Sequence, residues 1–502
     1  MQNNVLDYLD NIINVCPDKT AFADDKYGMT FADVYRDAAG IGTYLSSKGI
    51  YRESVVVFMG KQPKCITAFF GVIRGGCFYV PIDEQMPAAR IDLILDNVKT
   101  KLIICDEKTI KKAAAFNTDA EIVLYDDIAA TEPDENALSY IKEHAIDTDP
   151  IYIVFTSGST GIPKGVCACH RSVIDYIEQL SDVLEFSSDT VFGNQTPLYF
   201  DACLKELYPT LKFGATTYLI PKSLFMFPIK LVEFLNDRKI NTICWVVSAL
   251  TMISAFGTFE KIKPAHLRTI AFGSEVFPVK QFNLWKETLP DTKFVNLYGP
   301  TEGTGMCCYY RADRFFEEGE SIPIGRPFKN TEILLLDENG HLAEEGEICI
   351  RGTSVTLGYY NNPEKTGESY VQNPLNSHYP EIIYKTGDIA KRNADGELLF
   401  VSRKDYQIKH MGHRIELGEI EANVSALEGI SINACVYDKD SERIVLFYVG
   451  SIDSAEICKR LRDKLPRYMM PNECVKLDRM LFTPNGKIDR KGLLAQCAQN
   501  SI

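Results

Sequence analysis

Residues 155–166 combine glycines, hydroxyl side chains and one lysine at a spacing suited to holding phosphate. They read Phe-Thr-Ser-Gly-Ser-Thr-Gly-Ile-Pro-Lys-Gly-Val, after an apolar run and before a helical pattern that starts at His170. Glycines let the backbone turn so that successive N–H groups can surround phosphate oxygens. The groups expected to contact phosphate are Thr156, Ser157, Gly158, Ser159, Thr160, Gly161 and Lys164. We predict a strand-to-helix loop that is not a Walker loop, although such a composition alone is also typical of a plain turn.

The elements that must position this loop follow an alternating pattern. Strand-like and helix-like runs alternate in the order 54–59, 66–74, 77–80, 87–98 and 101–105. Thr30 and Asp33 have the spacing of a capping box at the start of an earlier helix. Alternation of this kind predicts an α/β fold with a parallel sheet covered by helices.

The pattern changes in the last third of the chain. Short β segments with Asn-Gly and Asp-Gly turns begin near residue 333 and predict a small β-rich subdomain. Residues 405–502 show mixed helix and strand patterns typical of a small α+β domain. We therefore predict a large N-terminal domain, residues 1–404, of stacked α/β subdomains plus the β-rich subdomain, followed by a small C-terminal domain.

Composition narrows the function classes. The chain has 502 residues and a net charge of -14, which argues against general binding to nucleic acid or anionic membranes. Its 15 cysteines lack disulfide-framework or zinc spacing, so we expect a reducing, cytosolic environment. We see neither a signal peptide nor an apolar run long enough to span a bilayer.

The segment 155–166 closely resembles the phosphate-binding signature of the acyl-adenylate-forming enzymes, a superfamily that includes acyl-CoA synthetases and nonribosomal-peptide adenylation domains. Further motifs follow in the order that this superfamily shows, and the resemblance spans nearly the whole chain. It implies ATP and Mg²⁺ as cofactors. It also implies that the C-terminal domain is mobile and turns about a hinge at Asp405.

The resemblance also implies roles for residues in the nucleotide motifs. In Tyr298-Gly299-Pro300-Thr301-Glu302, Tyr298 would stack on adenine and Thr301 would bond the α-phosphate. Glu302, together with Thr160, would hold Mg²⁺ through oxygen ligation. Asp388 would accept the ribose hydroxyls, and Arg403 would reach the ribose or phosphate. The other nucleotide contacts expected from matching motifs are Gly273, Ser274, Glu275, Asn296 and Gly299.

The last motif, Pro484–Lys491, places Lys487 where the family has its catalytic lysine, although Asn-Gly-Lys is more commonly a turn with an exposed lysine. The implied reaction is attack of a carboxylate on the α-phosphorus of ATP, which gives an acyl-adenylate and pyrophosphate. Cationic and N–H groups must offset the negative charge that gathers there. A domain rotation would then remove Lys487 and admit a thiol near Gly412, so that a thioester forms.

Asp201 matches the residue that pairs with the substrate's α-ammonium in amino-acid-activating members. The other pocket positions implied by the resemblance are Phe200, Ala202, Lys205, Cys244, Ile270, Phe272, Leu297, Gly305 and Met306. The Asp-Ala-Lys opening resembles glutamate-selecting domains, in which Lys205 would meet a side-chain carboxylate. Two other interpretations stay open: Lys205 forms an i,i+4 pair with Asp201, or it extends to solvent.

Glu275 and the segment 483–487 also resemble D-alanine–carrier protein ligases, from which Lys205 and Gly273 depart. The chain ends at Ile502 without a carrier-like segment, so we expect a free-standing enzyme. We expect it to adenylate an amino acid and load the phosphopantetheine thiol of a separate carrier protein. The alternatives are a D-alanine–carrier protein ligase, a CoA ligase for a small carboxylic acid, and a nucleotide-binding regulator without catalysis.

Overall fold

The computed structural model describes residues 2–158, 161–404, 406–439, 441–483 and 488–499. The helices are α1 (Asp7–Ile12), α2 (Phe31–Ser47), α3 (Pro63–Arg74), α4 (Ala88–Val98), α5 (Ile110–Ala113), α6 (Tyr125–Ala129), α7 (Glu135–His144), α8 (His170–Leu184), α9 (Leu204–Phe213), α10 (Pro228–Asp237), α11 (Val247–Ala255), α12 (Val279–Thr288), α13 (Pro363–Ser369), α14 (Leu417–Ser425), α15 (Ser454–Arg462) and α16 (Arg490–Gln499). Short 3-10 turns occur at Asp201–Cys203, Lys222–Met226, Thr258–Glu260, Thr301–Gly303 and Arg467–Met469.

The strands of the large N-terminal part form three sheets. They are β1 (Thr20–Ala23), β2 (Gly28–Thr30), β3 (Ser54–Phe58), β4 (Phe78–Pro81), β5 (Leu102–Cys105), β6 (Glu121–Leu124), β7 (Pro150–Thr156), β8 (Lys164–Cys169), β9 (Val191–Asn194), β10 (Thr216–Leu219), β11 (Thr242–Val246), β12 (Thr269–Gly273), β13 (Lys293–Tyr298), β14 (Cys308–Arg311), β15 (Arg326–Pro327), β16 (Thr331–Leu336), β17 (Glu345–Gly352), β18 (Tyr370–Gln372), β19 (Ile382–Arg392) and β20 (Leu398–Arg403). The C-terminal strands are β21 (Gln407–His410), β22 (His413–Glu416), β23 (Ile430–Asp438), β24 (Arg443–Gly450) and β25 (Glu473–Lys476).

The first sheet has the order β6-β5-β3-β4-β7-β8 in the described residues, and all of its pairs are parallel except β7 with β8. The glycine-rich loop therefore joins two antiparallel strands, with Thr156 opposite Lys164. Our prediction of a strand-to-helix loop is wrong in this respect, because a second strand precedes α8. A Gly/Ser-rich segment fits either connection, and the run of β8 is too short to show a period of its own.

The second sheet has the order β15-β14-β13-β12-β11-β9-β10-β1-β2, with a parallel centre and antiparallel edges. The segments predicted to line the acid pocket follow β9 and β13 or lie within β11, β12 and β13, so they meet near the carboxyl ends of parallel strands. Open α/β sheets bind ligands in the crevice beyond those ends. The fold thus brings together segments that are far apart in sequence.

Helices α2, α3, α8 and α9 contribute to an apolar cluster that also contains side chains from both of these sheets. Helix α2 starts as predicted: the Thr30 side chain accepts the Asp33 N–H, and the Asp33 carboxylate accepts the Thr30 N–H.

The third sheet, β16 to β20, is antiparallel and confirms the predicted β-rich subdomain. The α/β fold class is confirmed as well.

The segment after residue 405 has a two-stranded sheet, β21-β22, and a three-stranded sheet, β23-β24-β25. Two apolar clusters formed by residues of this segment pack α14, α15 and α16 against the strands. These separate cores support the proposal that residues 405–502 form a domain distinct from residues 1–404. Within the described ranges, no helix combines the length and apolar character required to cross a bilayer.

Candidate active site

The glycine-rich loop between β7 and β8 depends on its glycines. A Cβ atom at Gly158 would lie 2.0 Å from the Ile162 carbonyl oxygen, so no larger residue fits there. The Gly161 N–H donates to the Gly158 carbonyl at 2.9 Å, and Gly161 has a φ of +83°, which favours glycine. Ser159 and Thr160, which were predicted to contact phosphate and metal, lie outside the described residues.

Two donors of this loop contact the hairpin β21-β22 of the C-terminal segment. The Ser157 hydroxyl donates to the Arg414 carbonyl at 2.9 Å, and the Glu416 N–H donates back to that hydroxyl at 3.1 Å. The Lys164 ammonium lies 3.5 Å from Glu416 Oε1. A carboxylate therefore stands next to the cation that was predicted to meet phosphate.

A second carboxylate meets the loop backbone. The Gly158 N–H donates to Glu419 Oε2 at 3.1 Å, and the other Glu419 oxygen forms an ion pair with Arg90 of α4. Both side chains are buried, with 4% of Arg90 and none of Glu419 exposed. Burial raises the pKa of Glu419, and the charge of Arg90 opposes that rise. The Gly158 N–H and the Lys164 ammonium, which suit phosphate, thus contact carboxylates in this arrangement.

Glu302 lies at the centre of the same contact. Its carboxylate is fully buried and accepts hydrogen bonds from the Tyr359 hydroxyl at 2.7 Å and from Arg414 Nη1 at 2.6 Å. Burial alone would raise the pKa of Glu302, but the charges of Arg414 and Lys164 hold it at about 2. The Glu302 carboxyl is therefore deprotonated and negatively charged at neutral pH.

An anionic carboxylate suits Mg²⁺, which prefers hard oxygen ligands. Glu302 fits that role once Arg414 withdraws, since both of its oxygens are engaged here. In the part of the chain that the structure describes, no group of three or more His, Cys, Asp or Glu side chains is placed to hold a metal. Substrate phosphates and water would have to supply the remaining ligands.

The predicted adenosine site brings four distant residues together. The Tyr298 hydroxyl donates to Asp388 Oδ2 at 2.5 Å, and Arg403 forms an ion pair with the other Asp388 oxygen. The Lys409 ammonium lies 5.4 Å from the centroid of the Tyr298 ring, where burial lowers its pKa and Asp388 opposes the decrease. Sequence reasoning proposed the first three residues and missed Lys409.

Other predicted nucleotide contacts lie around the ends of β12 and β13. A Cβ at Gly273 would lie 2.3 Å from the Leu297 carbonyl oxygen, and one at Gly299 would lie 2.4 Å from the Gly305 carbonyl oxygen. Ser274 has a φ of +70°. The Asn296 amide donates to the Pro323 carbonyl at 2.8 Å. At Gly273 and Gly299 the backbone thus lies so close to a neighbouring carbonyl that only glycine fits.

Glu275 and Gly412 form a further contact between the large domain and the hairpin. Glu275 accepts the N–H of Gly412 at 2.7 Å and the N–H of Ser248 at 2.8 Å. Gly412 has a φ of +79°, and a Cβ there would lie 2.6 Å from Val246 Cγ1. The hairpin tip thus lies against the start of α11, which is compatible with the predicted thiol path at Gly412.

Asp201 lies in a 3-10 turn before α9, next to the nucleotide motif. Burial raises the pKa of its carboxyl, while the charge of Lys205 and a hydrogen bond with Thr301 oppose the rise. The side chain expected to bind an α-ammonium is therefore beside the residue expected to bind the α-phosphate. Phe200, one residue earlier, contacts the hairpin through His413, with ring centroids 5.1 Å apart.

Lys205 is buried, with 5% of the residue exposed, so the interpretation that it extends to solvent is wrong. Within the described ranges its ammonium forms no direct ion pair with Asp201, although its charge lowers the pKa of that carboxyl, so the two residues attract each other without the expected direct i,i+4 contact. The turn that carries Asp201 is a 3-10 turn, and α9 starts only at Leu204. The two side chains are therefore not on one regular helix.

Two predicted pocket residues face the wrong side of the second sheet. Ile270 and Phe272 belong to the apolar cluster that contains Trp245 and Phe282. The opposite cluster contains the pocket candidates Cys244, Leu297 and Met306, together with Ala271 of β12. Side chains alternate along a strand, so a shift of one position moves a residue to the other face. Ala271 and Gly273 therefore occupy the positions of β12 that face the pocket. Ala271 pairs with Cys244 of β11, and side chains alternate along each strand, so this pairing with a pocket residue is the signal that would have identified them.

Two titratable side chains close to Lys205 in the sequence or the fold, Lys61 and Glu206, were not proposed from the sequence. The Lys61 ammonium donates to the carbonyls of Asn194 and Gln195, at 3.0 Å each, and burial lowers its pKa to about 7. Glu206 accepts a hydrogen bond from the Asn194 amide at 3.3 Å, and burial raises its pKa to about 8. Asn194 lies between the two side chains, and the charge of Lys205 is the largest effect opposing the rise of the Glu206 pKa.

Two more predicted pocket residues lie close to residues already described. Ala202 follows Asp201 in the 3-10 turn before α9. Gly305 lies just after the turn Thr301–Gly303 and next to the Tyr176 ring. Lys487 and Asp405, the predicted catalytic lysine and hinge, lie outside the described residues. Their roles stay predictions.

Known proteins resemble this chain along most of its length. The sequence profile described as AMP-binding enzyme matches residues 9–360. Zwittermicin A synthase ZmaJ of Bacillus cereus is 32% identical over 497 residues, which cover 95% of this chain and 92% of that protein. Bacitracin synthase 1 of Bacillus licheniformis is 32% identical over 486 residues, which cover 95% of this chain but 9% of that protein. The chain thus spans only a small part of some curated relatives.

Solved structures show the same fold. The Vibrio cholerae adenylation domain AlmE, solved with glycyl-adenosine-5'-phosphate, superposes with a TM-score of 0.85 at 20% identity and covers 99% of this chain and 98% of its own. PA1221, described as containing adenylation and PCP domains, has a TM-score of 0.82 at 23% identity and covers 98% of this chain and 84% of its own.

Proposed function

The chain belongs to the AMP-binding enzyme family, and from this premise we propose that it is an AMP-forming acid ligase that activates an amino acid as an aminoacyl-adenylate. We further propose that the acyl group then passes to the phosphopantetheine thiol of a carrier protein. The observation that carries the proposal is the half-buried Asp201 carboxyl, which interacts with Thr301 of the nucleotide motif.

A carboxylate that is partly removed from water is stabilised in its charged form by a nearby cation. Asp201 forms no ion pair within the described residues, although Lys205 is near enough to oppose the rise of its pKa. A substrate α-ammonium supplies that cation. The substrate carboxylate, one carbon away, would then lie close to Thr301 and to the α-phosphate that Thr301 is expected to bond.

The adenylation step requires the phosphates of ATP to contact Gly158, Ser157 and Lys164. Those donors are engaged by Glu419, Arg414 and Glu416 in the described arrangement, so the C-terminal domain must move away first. Its departure also removes Arg414 from Glu302. Mg²⁺, when bound at Glu302, would offset charge on the phosphates, and we assign to Lys487 the neutralisation of the attacking carboxylate.

The described arrangement suits the second step, thioester formation. The hairpin covers the loop, its tip lies at Val246 and Ser248, and Gly412 leaves no side chain at that position. Similarity to peptide synthases such as bacitracin synthase 1 supports a carrier thiol as the acceptor. The division into domains at residue 405 follows from the same proposal, because the two steps need different contacts.

We propose that the amino acid has an acidic side chain, as in glutamate, because the Lys205 residue is largely buried and its ammonium forms no ion pair in the described part of the chain. Replacing Lys205 by Met is expected to shift preference toward apolar or small amino acids, with about tenfold or greater loss of kcat/KM for acidic ones. The measurement is pyrophosphate exchange with each amino acid. The exposed Lys459 provides the control, as Lys459→Met. An unchanged substrate profile would show that Lys205 does not line the pocket.

The activity itself is tested by pyrophosphate exchange across proteinogenic and D-amino acids, alongside aryl and alkyl acids of similar size. We expect exchange with amino acids only. Exchange restricted to acids without an amine would favour the CoA ligase and show that Asp201 was misinterpreted. A strong preference for D-alanine would favour the D-alanine–carrier protein ligase. No exchange with any acid would favour a regulator that binds nucleotide.

A further inference from the structure

Tyr176 of α8 borders the acid pocket and carries a buried hydroxyl without a partner. Only 1% of the residue is exposed, and its hydroxyl oxygen has no hydrogen-bond partner among the described residues. A buried polar group left unpaired destabilises a protein, so native structures nearly always pair such groups or use them. Nothing in the sequence motifs singles out this tyrosine.

The hydroxyl of Tyr176 points toward the residues of the pocket. A Cβ atom built on Gly305, a predicted pocket residue, would lie 3.3 Å from the ring and 3.4 Å from the hydroxyl oxygen. Tyr176 also shares its apolar cluster with Cys244, Leu297 and Met306. After burial, the nearby Asp201 and then Cys244 contribute most to raising the pKa of the phenol, so the hydroxyl keeps its proton and can donate it.

The Tyr176 hydroxyl and the Lys205 side chain both lie close enough to Asp201 to interact with its charge, and in the described residues neither forms a hydrogen bond or ion pair. The charge of Lys205 also acts on the buried Glu206. Asp201 is committed to the α-ammonium in the proposed function. A substrate that satisfies both donors must carry an acceptor oxygen on its side chain. Apolar side chains would leave the two polar groups unpaired, which is the situation that gives large discrimination between substrates.

On the basis of the proposed function, we infer that Tyr176 is a specificity-determining residue that donates a hydrogen bond to a side-chain oxygen of the amino acid. The Tyr176 hydroxyl alone would accept an amino acid with either a carboxylate or a carboxamide side chain. Lys205 distinguishes between these two groups by charge, whereas Tyr176 recognises the oxygen that they share.

The test is the variant Tyr176→Phe, which removes one oxygen and preserves the ring. Pyrophosphate exchange is measured with aspartate, glutamate, asparagine, glutamine, alanine and leucine. We expect kcat/KM for the preferred carboxylate or carboxamide substrate to fall by about tenfold to a hundredfold, as for the loss of one buried hydrogen bond. Values for alanine and leucine should stay the same or rise, because the unpaired hydroxyl is gone.

Tyr44→Phe is the matched control, since that hydroxyl bonds Glu121 at the surface. If wild-type protein exchanges amino acids and Tyr176→Phe changes all of them by the same factor, the inference about Tyr176 is overturned and the proposed function stands. If wild-type protein exchanges only acids without an amine, the proposed function fails, whatever Tyr176 does. A melting temperature close to that of the wild type for Tyr176→Phe excludes misfolding as the cause of a loss.

Discussion

Replacing Lys487 by alanine is expected to abolish adenylate formation and to preserve most thiol transfer from a preformed aminoacyl-adenylate. The lysine is expected to neutralise charge only while the carboxylate attacks the α-phosphorus, and loss of one well-placed group of this kind costs about 10²- to 10³-fold in rate. The first half-reaction is measured by pyrophosphate exchange. The second is measured by loading of a phosphopantetheinylated carrier, or by release of AMP in the presence of a thiol.

Lys476→Ala is the control, because it removes an exposed lysine of the same C-terminal segment outside the last motif. Both half-reactions should continue at wild-type rates in that variant. A parallel loss of both half-reactions in Lys487→Ala would contradict the proposal that the C-terminal domain serves the two steps in different positions.

Replacing Arg414 by alanine is expected to produce the opposite pattern. Arg414 donates to Glu302 at 2.6 Å and to Gln407 at 2.7 Å, and its removal leaves the buried Glu302 carboxylate without its main partner. Breaking one side of a buried ion pair is strongly destabilising, so the docked arrangement becomes less populated. Thiol transfer should slow by about a hundredfold, while pyrophosphate exchange with amino acid and ATP changes little.

Two variants support the interpretation of Arg414→Ala. Arg414→Lys keeps the charge but loses the second donor of the guanidinium, so it should restore only part of the transfer rate. Arg462→Ala removes an exposed arginine of α15 and should leave both half-reactions intact. Loss of pyrophosphate exchange in Arg414→Ala would show that Arg414 also serves the first step, and the docked contact would then not be specific to transfer.

Much of the fold could be predicted because its signals are local. The capping box at Thr30, the buried strands and the β-rich region each follow from side-chain pattern within a few residues. The register of β12 could not be predicted in this way. Its residues are apolar on both faces, so the sequence alone does not show whether Ile270 or Ala271 faces the pocket. Pairing with the neighbouring strands decides which face each side chain occupies.

The residues of the candidate site could be predicted where they belong to a short sequence motif. Contacts between segments that are distant in the sequence could not. Asp388, Arg403 and Tyr298 were expected near one nucleotide, and the structure places them in contact. The contacts of Glu416 and Glu419 with the phosphate loop join residues more than 250 positions apart. The burial of Lys205 likewise depends on the packing around α9, which no short pattern specifies.

The engagement of the glycine-rich loop by Glu416 and Glu419 has a thermodynamic consequence. If one set of donors accepts either phosphate or these carboxylates, the two equilibria are linked, and each ligand weakens the other by the same factor. Pyrophosphate that stays bound to the glycine-rich loop after the first step should therefore slow thioester formation. The acidic side chains would then couple release of the inorganic product to arrival of the thiol.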